Sequence, residues 1–251
     1  MSEVFAIIGG SGFDMSTCGD YVEENSVETP YGACSAPLQI YRHQKQSVIF
    51  LPRHGNPHRI PPHRINYRAN IWALQKIGCS KIIAINTVGG IGADASVGAL
   101  VIPEQIIDYT YGREHTFSDC ADVPLLHVDF TSPFSAPLRH ALITAAAAIG
   151  IPTIDQGVYG ATQGPRLESA AEINRLQRDG CDIVGMTAMP EAALARELNI
   201  EYASLCLVVN LAAGRGEAIT VAQMQKVSAR GMGAIAKIIA EVLASNTTPV
   251  N

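Results

Sequence analysis

The chain has 251 residues, 47% of them apolar, and a net charge of −5 from 18 basic and 23 acidic side chains. That length and apolar content allow one large core, with 1–251 as a single domain, and the mild negative charge, without a Lys/Arg cluster interleaved with aromatics, argues against a nucleic-acid partner. The six cysteines (Cys18, Cys34, Cys79, Cys120, Cys181 and Cys206) are scattered, with no CxxC and no close pair, which argues against a zinc knuckle or a disulfide framework and for reduced thiols.

Met1-Ser2-Glu3 leads at once into an apolar run at 4–8 with no basic n-region, so a cytoplasmic chain with no membrane partner is expected. That run is the first predicted strand. It breaks into Gly9-Gly10-Ser11-Gly12, whose glycines either form a phosphate nest from exposed N–H groups or simply make a tight turn. A dinucleotide fingerprint would need a third glycine at Met15 and does not match.

Gln39-Ile40-Tyr41 and the run 47–51 predict a hairpin, so part of the sheet is antiparallel. The second strand ends in Pro52-Arg53-His54-Gly55, at the head of a loop that also carries His58 and His63. Prolines there forbid the helix that would put a histidine pair on one face, and no carboxylate-rich partner is present, so no metal is assigned. Arg53 and His54 suit an anion, the first with its planar fork and the second with a further donor, unless the loop faces solvent.

A predicted helix at 64–77 precedes a strand at 81–85 and a third anion-ready turn, Asn86-Thr87-Val88-Gly89-Gly90. A strand at 100–103 and a helix at 137–149 lead to Thr162-Gln163-Gly164-Pro165-Arg166-Leu167-Glu168, a stiff turn ahead of the helix predicted at 169–178. This turn either aims the Glu168 carboxylate at a ligand or places it as a helix N-terminal acid favoured by the macrodipole. A strand at 182–184 breaks into Gly185-Met186-Thr187 before a Pro190-Glu191 helix start at 190–198. The strand at 202–209 runs into Asn210, which fits a turn as well as a ligand contact, and the last helix covers 221–243. Apolar strands alternating with helical periodicity give an α/β fold, a central mixed sheet flanked by helices, with sites expected at strand ends.

Ile7-Ile8-Gly9-Gly10-Ser11-Gly12, Arg53-His54-Gly55, the stretch from Asn66 to Leu74, Gly164-Pro165-Arg166 and Met186-Thr187 with Pro190-Glu191 resemble, in order and over almost the whole chain, the trimeric purine nucleoside phosphorylases. The methylthioadenosine phosphorylase branch is the most similar. The resemblance implies a homotrimer that uses a purine nucleoside and inorganic phosphate, with no metal or organic cofactor. It places phosphate at Ser11, Arg53, His54, Thr87, Val88 through its amide, and Thr187. It also places Met186 beside the ribose and has His127 reach a neighbouring subunit's pocket.

The base-reading positions depart from the methylthioadenosine enzyme, which has aspartates at the positions of Asn210 and Ala212, flanking that of Leu211, and a serine at Glu168. Glu168 and Asn210 instead resemble the pair with which 6-oxopurine nucleoside phosphorylases hold hypoxanthine or guanine. An ionised Glu168 accepts the N1–H of hypoxanthine and repels the bare N1 lone pair of adenine, while Asn210 can stabilise charge on the departing base. At the sugar end Val221 stands where 6-oxopurine enzymes carry a histidine near the 5′-hydroxyl, and an aliphatic group suits methylthio; Val221 also fits simply as the first apolar residue of the last helix. The combination implies phosphorolysis of S-methyl-5′-thioinosine. Methylthioadenosine phosphorylase, inosine/guanosine phosphorylase and a non-catalytic nucleoside-binding module stand as alternatives.

Overall fold

The computed structural model describes residues 4–119 and 124–246; Met1-Ser2-Glu3 and Cys120 lie outside them. Its first strand, β1 (Phe5–Gly9), is buried throughout and sorts its side chains by the period of two that a strand imposes. Phe5 and Ile7 join Leu138 and Ile238 on one face of the sheet, and Ala6 and Ile8 join Ile71 and Leu194 on the other.

After β2 (Asp20–Asn25), the expected hairpin forms from β3 (Leu38–His43) and β4 (Gln46–Pro52), with Gln44 at φ 52° in its two-residue turn. Helix α1 (Tyr67–Lys76) starts three residues later than its sequence pattern, because Asn66 takes the N-cap and a short 3-10 turn occupies Pro62–Arg64. Next come β5 (Lys81–Gly90), β6 (Leu100–Val101), β7 (Gln105–Asp108), α2 (Ala136–Ala148) and β8 (Val158–Ala161). The chain then forms α3 (Ala170–Arg178), β9 (Ile183–Gly185), α4 (Ala188–Glu197), β10 (Glu201–Leu211) and α5 (Val221–Ser245).

The described strands form one mixed sheet in the order β2-β3-β4-β1-β5-β9-β8-β7, with β10 on β5 and β6 on β10. Strand β5 is the hub. Its first half pairs with β1 and its last residues with β9, while β10 runs parallel along it. Gly89 therefore pairs with Val184 and also with Asn210, and the ends of β5, β9 and β10 meet. Helices α1 and α4 pack together on one face, α2 and α5 on the other. No described helix is long and apolar enough to cross a membrane.

Candidate active site

Two of the anion-ready segments, 9–12 and 52–55, meet, whereas the third, 86–90, is not the turn expected from its sequence but the second half of β5, because β10 pairs along it. The turn after β1 is tied to the end of β4 by Arg53 N–H donating to the Gly9 carbonyl at 3.1 Å. Gly10 has to be glycine, since a Cβ there would lie 2.6 Å from the Ile85 carbonyl oxygen and 3.3 Å from Arg53 Nη1. Arg53 is 1% exposed; its Nε and Nη2 grip the two carboxylate oxygens of Glu191 at 2.5 and 3.0 Å, and Nη1 donates to Ile85 O at 2.9 Å. Burial alone would lower the Arg53 pKa, but the charge and hydrogen bonds of Glu191 outweigh it and raise that pKa, so the guanidinium stays charged.

Glu191, the buried partner of Arg53, is the main side chain of this region that sequence reasoning missed. Read as a helix-start acid, it lies 0% exposed, and Tyr202 Oη donates to it at 3.0 Å. Its signal was available: a carboxylate inside the apolar run of α4 needs a buried partner, and Arg53 at a strand end is one.

His54 behaves differently from expectation. Its Nδ1–H donates to the Ile60 carbonyl at 2.8 Å, and its ring stacks on His58 at 4.3 Å between centroids. Burial, then the neighbouring Arg53 charge, lowers its pKa to about 4. At neutral pH its Nε2 is therefore an acceptor, not the further donor the sequence led us to expect, and it suits a protonated phosphate oxygen.

On the β5 side, Asn86 Nδ2 donates to Thr187 Oγ1 at 2.9 Å, which leaves the Thr187 hydroxyl proton free for an anion. Thr87 and Val88 follow Asn86 in β5, Val88 buried and paired with Val208. Ser11 is half-buried, and its carbonyl accepts from Ser228 of α5 at 3.2 Å. A cavity of about 330 Å³ opens beside the segments 9–12 and 52–55, lined among others by Gly10, Gly12, Arg53, His54, Asn56 and His58; Ser11, Thr87, Val88 and Thr187 are not among its lining residues.

The other group of residues is organised around α3. Glu168, half-buried, accepts from Thr162 Oγ1 at 2.7 Å. The start of α3 is capped without it: Ser169 and Glu172 form a reciprocal capping box, and Arg166 forks onto Glu172 at 2.8 and 2.7 Å. Arg166, then the Ser169 backbone N–H, holds the Glu172 carboxyl down at about 2. Helix and cation are thus both served by Glu172, and the carboxylate of Glu168 is left for another task.

Asn210 follows a bulge in β10, where the register against β5 shifts between Val208 and Asn210. Its Nδ2 donates to the Leu211 carbonyl at 2.7 Å. Ala212 is buried against Ile173 and Leu176 of α3, and Arg215 Nη2 binds Asn174 and Gln177 of the same helix at 3.0 and 2.6 Å. The strand end bearing Asn210 and the turn bearing Glu168 are thereby fastened to one helix. Met186 packs under the turn; a Cβ on Gly164, at φ 59°, would lie 2.4 Å from its sulfur. A second cavity, about 310 Å³, is lined among others by Val209, Asn210, Leu211, Thr220, Gln223 and Met224.

Val221 is not among the residues lining that cavity. It is 65% exposed at the first helical position of α5, where Thr220 is the N-cap. Helical spacing puts 220, 223, 224 and 227 on one side, and Met224 and Val227 are the apolar residues that α5 contributes to the lining of that cavity. His127 is exposed, next to Leu125 and Leu126, which are 72% and 49% exposed.

A model of the phosphorylase superfamily matches residues 4–244. The chain is 50% identical over 244 residues to the probable S-methyl-5′-thioinosine phosphorylase of Pseudomonas syringae pv. tomato, covering 97% of this chain and 99% of that one. It is 44% identical to the 6-oxopurine nucleoside phosphorylase of Pyrococcus furiosus, across 93% of this chain and 89% of the other. Methylthioadenosine phosphorylase from Schistosoma mansoni in complex with adenine superimposes with a TM-score of 0.92 at 32% identity, covering 98% of this chain and 92% of that one. A family match over nearly the whole chain, with these likenesses beside it, shows that the chain belongs to the phosphorylase superfamily.

Proposed function

We propose that the chain is a purine nucleoside phosphorylase that splits S-methyl-5′-thioinosine with inorganic phosphate into hypoxanthine and 5-methylthioribose 1-phosphate. The observation that carries this reading is the Glu168 carboxylate, released from helix capping and held by Thr162. Ionised, it accepts the N1–H of a 6-oxopurine, and a site built on that bond rejects a base without the donor by about 10⁴ in rate. The similarity to relatives named for methylthioinosine and for 6-oxopurine nucleosides supports the same assignment.

In this reading Ser11, Arg53, His54, Thr87, Thr187 and the Val88 amide orient phosphate beneath the anomeric carbon. Phosphate oxygen bonds to that carbon as the glycosidic bond stretches through an oxocarbenium-like state, and the bond's electron pair leaves with the base. Asn210 donates to the charge developing on that base and Glu168 accepts its N1–H; the proton that the hydrogen phosphate gives up, directly or through water, neutralises the departing base, while Met186, Leu211 and Ala212 shape the sugar and base walls. Positioning and fixed dipoles supply the acceleration, with no enzyme nucleophile. Neither a metal nor an organic cofactor enters; activity lost on dialysis against EDTA and restored by a metal would refute that.

A homotrimer in the cytoplasm completes the proposal. Exposed Leu125 and Leu126 beside His127 suit a segment that packs on a neighbouring subunit, and the five described cysteines, all free thiols, suit a reducing compartment. Sedimentation as a monomer at micromolar concentration would remove the trimer.

The test is a phosphorolysis assay with methylthioinosine, methylthioadenosine and inosine, following free base with and without phosphate. Methylthioinosine is expected to give the highest kcat/KM, and Glu168→Ser with Asn210→Asp to lower it by about 10² or more while admitting adenine. Unchanged base preference in that variant rejects the assignment, and base release that does not depend on phosphate rejects phosphorolysis.

A further inference from the structure

Arg113 lies in the irregular segment after β7, and it is 8% exposed. Among the described residues its five N–H groups reach six acceptors, and none of these is a carboxylate. Nε donates to Gln163 Oε1 at 3.2 Å; Nη1 donates to Tyr67 Oη, Met186 O and Met189 O at 3.1, 2.8 and 2.6 Å; Nη2 donates to Thr162 O and Gln163 O at 3.2 and 2.8 Å. Arg53, by contrast, has Glu191 as its anion. Taking a cation out of water without a carboxylate partner is costly, and four backbone carbonyls with two side-chain oxygens offset that cost here.

Which carbonyls converge is the informative part. Thr162 and Gln163 open the turn that carries Glu168, and Thr162 itself holds the Glu168 carboxylate through Oγ1 at 2.7 Å. Met186 and Met189 flank Thr187 at the junction of β9 and α4. One rigid fork therefore joins the base-side turn to the strand end placed beside ribose and phosphate. We propose that Arg113 is a positioning residue for base selection, holding the Thr162–Glu168 pair in register with Met186 and Thr187. This rests on the reading of Glu168 as the base reader. The role demands a guanidinium, since an ammonium presents its donors from one point and cannot span the two groups of carbonyls.

The test compares base preference, which a merely structural role would not move. Arg113→Lys is expected to lower kcat/KM for methylthioinosine by about 10- to 100-fold, as a misplacement near 1 Å does. Turnover of methylthioadenosine should change less, so the ratio of the two narrows. Equal losses for both nucleosides overturn the proposal. Should Arg113→Lys fail to fold, Thr162→Val cuts the next link to Glu168 and must narrow the ratio in the same way; an unchanged ratio there is equally fatal. Glu168→Gln, whose amide can donate to adenine N1, is the control. If it narrows the ratio and the other two variants do not, the positioning role falls and the base reader stands; if it leaves the ratio unchanged, both fall.

Discussion

His54 shows how one hydrogen bond sets the chemistry of a residue. Because its Nδ1–H is committed to Ile60 O, and because burial and Arg53 hold its pKa at about 4, the ring stays neutral in the fold while an unfolded chain would titrate near the ordinary value of about 6.5. Between those values the unfolded state binds the extra proton. Stability from this group is therefore complete above pH ~6.5 and is lost as pH falls through that window, levelling off below the folded pKa, with a total of a few kcal/mol at most. Urea denaturation in phosphate-free buffer should show this extra slope in the wild type and lose it in His54→Asn, whose amide can still donate to Ile60. Parallel slopes in the two proteins would mean that His54 takes up its proton at the same pH in the fold as in the unfolded chain. Arg53 and His54 were legible in the sequence as adjacent basic residues after an apolar run; the acceptor role of Nε2 was not, because it depends on a carbonyl six residues away.

Helix α3 separates what a cap does from what a ligand contact does. Its Ser-x-x-Glu start was readable, and the structure uses it fully, with Ser169 and Glu172 each satisfying a backbone N–H of the first turn. Ser169→Ala should cost about 1 kcal/mol of stability and leave the preference between methylthioinosine and methylthioadenosine intact, measured by thermal melting and by the ratio of kcat/KM values. A change in that ratio would show that α3 and Glu168 are not separable. Strands were legible where they are apolar, as in β1 and the first half of β5, whose polar continuation from Asn86 to Gly90 was read as a turn. They were not legible in β2, an exposed edge strand of sequence Asp20-Tyr21-Val22-Glu23-Glu24-Asn25, or in the short β7 and β8, whose pairing comes from neighbours rather than from their own pattern. The same limit applies to Val221, whose exposure at the first helical position depends on a helix phase that the pattern did not give, and to Asn210, which follows a bulge that leaves no mark in composition.

At the scale of the molecule, the Arg53–Glu191 pair does for the fold what β5 does for the sheet. Its four anchors come from four elements: Arg53 follows β4, Glu191 lies in α4, Ile85 in β5 and Tyr202 in β10. A buried ion pair of this kind adds little net stability over a well-packed apolar pair, because both charges lose their water, yet removing one partner strands the other. Glu191→Leu alone should therefore cost about 3–5 kcal/mol, and Arg53→Met alone a comparable amount. The double variant should be destabilised by much less than the sum of the two, giving a large coupling energy in a double-mutant cycle read by urea denaturation. Stability and function should then part company: the double variant folds but no longer binds phosphate in a calorimetric titration, since the proposed anion site has lost its guanidinium. Additive losses would mean that the two side chains stabilise the fold independently, and retained phosphate binding in the folded double variant would move the anion site away from Arg53.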